Sequence, residues 1–311
     1  MHGCPNQSTG DEFQILAFSV PKIAQLSLFT GILLMYLATI LGNLTIITLV
    51  CAVPKLHTPM YFFLSNLAAV DMVSTSACVP KLLLITITED HAISFGYCMA
   101  QMFFVMLCSA GEIFVLTSMA YDRYVAICRP LQYYIIMNNR LCISLVIWSW
   151  VTASLNSLFH TLLTAELLFC FSRNINSFFC DLNVLISISS SDTTSRKLLI
   201  VFEGTIMTFL PFVLTIISYV FIISTIMKIK SSDGRFKIFS SCTSHLITVI
   251  LFYGPCYFLY MKSNFLEINA QDKVLAILYI VVVPMLNPLV YSLRNKDIWD
   301  AIMSLRNKED F

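Results

Sequence analysis

The chain has 311 residues, 58% of them hydrophobic and only 12% charged, whereas a soluble globular domain carries roughly 45–50% apolar and about 25% charged residues, so an ordinary water-soluble enzyme is excluded. Nineteen Lys and Arg stand against 18 Asp and Glu, which leaves no basic excess with which to hold nucleic acid phosphates. The solvent that remains is a lipid bilayer.

Crossing about 30 Å of hydrocarbon at 1.5 Å per residue takes about 20 apolar residues. In chain order, low-charge stretches predict spans over about residues 23–53, 60–87, 95–127, 141–164, 197–228, 237–261 and 272–293. Asp71 and Lys81 interrupt the second, Glu112 the third, and Glu203 lies in the fifth. These are solid apolar runs without the alternation of about ten-residue strands, which excludes a transmembrane β-barrel. The expected fold is an all-α membrane protein, a seven-transmembrane helix bundle. Beyond the last span, Ile298, Trp299, Ile302 and Leu305 recur at helical spacing among charges, predicting a short amphipathic helix on the inner leaflet. No internal repeat supports an inverted-repeat transporter.

Seven spans place the termini on opposite sides, and the Lys/Arg bias assigns them. Lys55, Arg123, Arg129, Arg140, Lys228, Lys230, Arg235, Lys237, Arg294, Lys296, Arg306 and Lys308 share one side, which is read as cytoplasmic. Residues 1–22 are then extracellular, 23–293 form the membrane domain, and 294–311 make a cytoplasmic tail. Residues 1–22 hold Asp11 and Glu12 and no apolar core of their own, so the first span is expected to act as its own signal. Asn6-Gln7-Ser8 is a glycosylation sequon on the outside. The longest connection, Glu166 to Lys197, is also outside; such a long loop is usually functional or tied down.

Five motifs lie at or near the ends of these spans. Met119-Ala120-Tyr121-Asp122-Arg123-Tyr124-Val125-Ala126-Ile127-Cys128 closes the third, and Pro284-Met285-Leu286-Asn287-Pro288-Leu289-Val290-Tyr291-Ser292-Leu293-Arg294-Asn295 closes the seventh. Leu56-His57-Thr58-Pro59-Met60-Tyr61-Phe62-Phe63-Leu64-Ser65-Asn66-Leu67 leads into the second, Ser240-Ser241-Cys242-Thr243-Ser244-His245-Leu246 into the sixth, and Phe252-Tyr253-Gly254 lies within it. From about Asn6 to Lys296 the chain resembles the odorant receptors, the olfactory branch of the rhodopsin-like G-protein-coupled receptors, and its seventh-span wording resembles their tetrapod-type class. The resemblance implies a non-enzymatic plasma-membrane receptor that binds a small volatile odorant and activates a stimulatory heterotrimeric G protein, raising cyclic AMP. The second reading is a non-olfactory chemosensory receptor of the same fold. An ion channel or transporter is a third, which would call for a polar stripe through several spans.

The resemblance gives the motif residues roles. Asp122, Arg123 and Tyr124, with Asn287, Pro288 and Tyr291, are expected to govern activation and G-protein coupling; the alternative for Arg123 is a cation snorkelling to the interface. Tyr219 lies nine residues before Lys228 and His245 eight after Lys237, which puts both about 12 Å from the boundary, in the layer of Arg123. They are expected to share a hydrogen-bonded latch with it. Asp71 and Glu112 both fall roughly 16–18 Å from the inner face, and two carboxylates at one depth share a proton or bind a cation. With Asn43 and Asn287 nearby, the resemblance implies a sodium-type or proton-holding site that favours the inactive state. One acid, neutral and bonded to the other, is the equal alternative. No cofactor beyond that ion is expected.

For the ligand, helical spacing selects Met102, Val105, Met106, Ser109 and Ala110 on the third span, Glu203 and Met207 on the fifth, and Tyr253, Cys256, Tyr257 and Tyr260 on the sixth. In related receptors these faces converge on one outer cavity, here oily, sulfur-rich and aromatic. Where amine receptors carry an Asp this chain has Val105, and where opsins carry the retinal Lys it has Val281, which disfavours both ligands. Glu203 either meets a polar odorant or bonds a neighbouring helix. Of eleven cysteines, most read as reduced packing residues. The resemblance implies a disulfide between Cys98 and Cys180. The family's second loop pair is broken, since Ser190 stands where the partner of Cys170 belongs, so Cys170 is expected to be unpaired and its loop less constrained.

Overall fold

A computed structural model of the protein describes residues 12–18, 21–260, 270–293 and 296–309. Helix α1 (Lys22–Ala52) is followed by α2 (Pro59–Thr88), α3 (Phe95–Cys128) and α4 (Asn139–Ala165). Helix α5 runs through Thr194–Gly204, a π-helical turn at Thr205–Phe209, and Leu210–Met227. Helix α6 covers Ser232–Tyr260. Helix α7 joins Ala270–Ile277, a second π turn at Leu278–Val282, and Val283–Leu293, and α8 (Lys296–Glu309) follows. Helices α1 to α5 and α7 are long and apolar enough to cross a bilayer, and α6 carries a shorter apolar stretch, Cys242–Phe258. The architecture is a seven-helix bundle.

Local chemistry sets the helix ends. Thr58 is extended and Pro59 opens α2, where the missing N–H of proline is no loss. Ser94 Oγ accepts from the Tyr97 amide at the start of α3, and Asn138 Oδ1 from the Leu141 amide at the start of α4. Glu89, at φ 58°, ends α2 in the left-handed region. Within α1 the hydroxyls of Thr30, Thr45 and Thr48 donate to the carbonyls of Leu26, Leu41 and Leu44 at 2.7–2.8 Å, so these polar hydrogens are satisfied where lipid offers no partner.

Helices α2 and α3 are more enclosed than α1, α4 and α5, which turn many large apolar side chains outward. Gly42 lets α1 lie against α7: a Cβ there would come within 3.1 Å of Pro288. Asn43 adds a polar tie, its Nδ2 donating to the carbonyls of Thr39 and Pro284. Between α4 and its neighbours, Trp150 Nε1 donates to Asn66 Oδ1 and Ser157 Oγ to the Phe103 carbonyl.

One end of the bundle carries a cap whose strands the helix pattern does not predict. Strands β1 (Glu12–Ile15), β2 (Ala92–Ser94) and β3 (Asn174–Ile175) form a sheet in the order β2-β1-β3, antiparallel then parallel. The segment before the first span is therefore, in part, a central strand. Phe13 and Ile15 point inward and Glu12 and Gln14 outward, the period of two expected of a half-buried strand. Phe13 packs edge-on against Phe169 at 5.0 Å, and burying each such side chain contributes roughly 1.5–3 kcal/mol. Lys273 Nζ, on α7, donates to the carbonyls of Leu16 and Ala17 at 2.6 and 2.9 Å.

At the opposite end α8 buries Ile298 and Ala301 and leaves Trp299 exposed, as an amphipathic helix does. Lys55 Nζ lies 2.8 Å from Asp297 Oδ1 and 3.4 Å from Asp300 Oδ2. Hydrogen bonds to these carboxylates, Asp297 first, hold the Lys55 pKa above its ordinary value.

Candidate functional site

The cap end is built on α3 and the long loop. Cys98 and Cys180 form a disulfide with Cα atoms 5.5 Å apart, and Gln101 adds a second attachment one turn along: its Oε1 accepts from the Cys180 amide at 2.8 Å while its Nε2 donates to the Ala77 carbonyl. Loop, α2 and α3 are thus joined beside the predicted chamber. The expectation for Cys170 is overturned. Cys170 is disulfide-bonded. Ser190, in the place of the missing partner, instead accepts a hydrogen bond from the Cys170 amide at 3.0 Å. Strand β1, which runs parallel to β3, brings a segment remote in sequence alongside this loop. The loop is correspondingly well held rather than less constrained.

Of the predicted chamber residues, Met102, Val105, Tyr253 and Cys256 are buried in one apolar cluster, with Met106 packed against it. Ser109, Ala110 and Met207 are half-buried, Met207 in the π turn of α5. Tyr253 packs on Phe212 at 4.8 Å and on Phe252 at 5.2 Å. Two residues depart from the expected face. Tyr257 is 61% exposed and is not enclosed by the other helices. Glu203 bonds α4: Asn156 Nδ2 donates to its Oε1, and His160 Nε2 lies 2.7 Å from its Oε2. This is the interhelical alternative, with the carboxylate placed against a polar pair four residues apart on α4. The side chain of Tyr260 and all of Asn6 lie outside the described residues.

Tyr279 was not singled out from the sequence. Its hydroxyl donates to Ser109 Oγ at 2.7 Å, and its ring packs on Phe252 at 5.5 Å. It joins α7 to the middle of α3 from within the π turn, a register change that helical counting from Asn287 does not anticipate.

Below this layer Asn287 Nδ2 donates to both carboxylate oxygens of Asp71, at 3.2 and 3.0 Å. Glu112 is buried and lies within electrostatic reach of Asp71. Glu112 Oε1 and Asn287 Oδ1 are buried acceptors without a hydrogen-bond donor among the described residues.

At the α8 end Asp122 is fully buried. It receives Arg123 Nη2 at 2.8 Å and Nε at 3.2 Å on one oxygen, and the Tyr133 hydroxyl at 2.8 Å on the other. Tyr133 comes from a one-turn helix, Tyr133–Ile136, just after α3. Tyr219 and His245 pair through the hydroxyl and Nδ1 at 2.7 Å, and His245 Nε2 faces the Leu116 carbonyl at 3.0 Å. A carbonyl only accepts, so Nε2 carries hydrogen and Nδ1 accepts from Tyr219, a single neutral tautomer that satisfies both bonds. Ser244 Oγ donates to the Val290 carbonyl, joining α6 to α7 beside the buried Tyr291. Tyr124 is half-buried, its ring 5.9 Å from Phe221 of α5. Among the described residues no group of three or more His, Cys, Asp and Glu is arranged to hold a metal.

This arrangement has known counterparts. The bundle superposes on squid rhodopsin with a TM-score of 0.73 over 92% of this chain and 86% of that one, at 18% identity, which is a likeness of fold. Rat (Rattus norvegicus) olfactory receptor 1f45 is 45% identical over 96% of this chain and 95% of its own length. Mouse (Mus musculus) olfactory receptor 5G29 is 45% identical over 98% of each, and human (Homo sapiens) olfactory receptor 9I1 is 43% identical over 96% and 95%. Residues 32–308 match the family model described as olfactory receptor. With that match spanning almost the whole bundle and relatives this similar along their full length, the chain belongs to the olfactory receptor family, multi-pass membrane receptors that couple to G proteins and are not enzymes.

Proposed function

We propose that the protein is an odorant receptor of the plasma membrane, with its N-terminus extracellular and its C-terminus cytoplasmic. It binds a small, volatile, largely apolar molecule between α3, α5, α6 and α7 and activates a stimulatory G protein of the olfactory type, raising cyclic AMP. The observation that carries this reading is the division of the bundle: apolar and sulfur-containing side chains packed under a disulfide-held cap at one end, and the Asp122–Arg123–Tyr133 cluster at the other. A disulfide forms in an oxidising compartment, which supports the cap as the outer end, as does the Lys/Arg bias.

A cyclic AMP reporter in cells expressing the full chain, exposed to a panel of volatiles, tests it. The expected response disappears in cells that lack the stimulatory G-protein α subunit. A ligand-evoked current that persists there would falsify the receptor reading in favour of a channel.

The unpartnered acceptors Glu112 Oε1 and Asn287 Oδ1 favour a second element: a sodium ion or a shared proton held near Asp71 that stabilises the inactive state, because a buried acceptor without a donor needs a positive charge or a hydrogen beside it. Replacing sodium by a large organic cation in a membrane binding assay should tighten agonist binding to the wild type, but not to Glu112→Gln, if the ion is sodium. An equal response of both, or none from either, assigns the site to a proton.

A further inference from the structure

We infer that the chamber selects a molecule presenting a hydrogen-bond donor, an alcohol or phenol hydroxyl, to Ser109 Oγ, in preference to the carbonyl compound or ether of the same skeleton. The inference rests on the reading that the ligand lies against this face of α3, and it follows from the direction of each hydrogen bond there. Ser109 Oγ donates its hydrogen to the Val105 carbonyl at 2.9 Å and accepts one from the Tyr279 hydroxyl at 2.7 Å. A serine oxygen has one hydrogen and two acceptor lone pairs. Its hydrogen is committed, one lone pair is filled by Tyr279, and what this half-buried oxygen still offers is acceptance.

A ligand hydroxyl therefore adds a bond at no cost to the existing pair. At this point on α3 a carbonyl or ether oxygen is served only if Ser109 turns its hydrogen away from Val105 or Tyr279 turns its own away from Ser109. Tyr279 acts here as a positioning residue: its donated bond fixes the Ser109 oxygen.

The test uses straight-chain primary alcohols of six to ten carbons, each paired with the aldehyde and the methyl ether of the same skeleton, on full-length receptor with surface staining recorded for every variant. The wild type is expected to respond to alcohols at about tenfold lower concentration than to their partners, the ratio that one net hydrogen bond supplies. In Ser109→Ala that ratio collapses because the alcohols lose potency while the aldehydes and ethers shift by less than about threefold on the same scale. Ser109→Thr, which keeps the hydroxyl, restores the order. Tyr279→Phe weakens the alcohols less than Ser109→Ala does and leaves the order in place.

A wild type that prefers aldehydes, a surface-expressed receptor silent to all the alcohols, or a Ser109→Ala ratio equal to wild type overturns the inference. Val105→Trp separates this from failure of the chamber itself. If that bulky substitution abolishes responses while Ser109→Ala leaves the ratio unchanged, the chamber stands and the donor preference falls; if it leaves every response intact, the chamber reading falls.

Discussion

At the cap end the chain is held by covalent bonds and a three-stranded sheet, with the disulfide between Cys98 and Cys180 and the strand β1 bonded to two loops. At the α8 end it is held by single polar contacts between helices: Arg123 and Tyr133 on Asp122, Tyr219 on His245, Ser244 on the Val290 carbonyl. The first kind of linkage keeps one arrangement. The second can be exchanged bond for bond, because a hydroxyl or guanidinium that leaves one acceptor finds another nearby at little net cost. A rigid reading end and a switchable transmitting end are what a receptor with two sites needs, since coupling between them requires an element with two arrangements.

The comparison can be broken at either end. Cys180→Ser removes the covalent tie at the cap and is expected to cost about 2–5 kcal/mol of stability; surface staining and the aggregation temperature of detergent-solubilised receptor should both fall. Asp122→Asn strikes the other end. It leaves the Arg123 guanidinium without its buried carboxylate, and agonist-independent cyclic AMP should rise, a cost to the inactive state on the order of 1–3 kcal/mol for a lost charged hydrogen bond. No change in basal signalling would mean that the pair does not restrain the switch.

Glu203→Ala sharpens the contrast within the outer half. It strands His160 and Asn156 on α4, so the account expects a stability loss of about 1–3 kcal/mol with the rank order of ligands retained. A reordered ligand panel would show that Glu203 meets the ligand directly. The smallest effect belongs to Lys55→Ala, because Lys55 and its partners Asp297 and Asp300 are about half exposed and solvent and salt screen such a surface pair. Melting curves of this variant and the wild type should be nearly superimposable at high salt.

Much of this architecture is legible in the sequence because lipid imposes it: a spanning helix must be long and apolar, so the charged residues that remain stand out. The shared layer of Tyr219 and His245 and the common depth of Asp71 and Glu112 follow from counting along helices of known rise, whereas the nearness of Asn287 to Asp71 follows from the family resemblance. What counting does not supply is the rotation of each helix and the path of the loops. Glu203 turns to α4 rather than inward, and Tyr257, one residue after the buried Cys256, stays exposed. Asn156 and His160, polar and four residues apart in an apolar span, were the available signal for Glu203's partner. The strand over Glu12 to Ile15 is too short for its alternation to be recognised, and its pairing with β3 lays it beside the loop that carries Cys170. Tyr279 reaches Ser109 from a π turn, where the helical count shifts.

The division between a reading end and a transmitting end is tested most directly by agonist-stimulated nucleotide exchange on purified stimulatory G protein, using reconstituted wild type and Arg123→Ala at matched receptor amounts. Arg123→Ala is predicted to bind an agonist of the wild type with an affinity within about threefold of wild type, since Arg123 lies at the far end of α3 from the proposed chamber and affects binding only through the coupling between the two sites, yet to drive no exchange. Exchange at the wild-type rate in Arg123→Ala would contradict it.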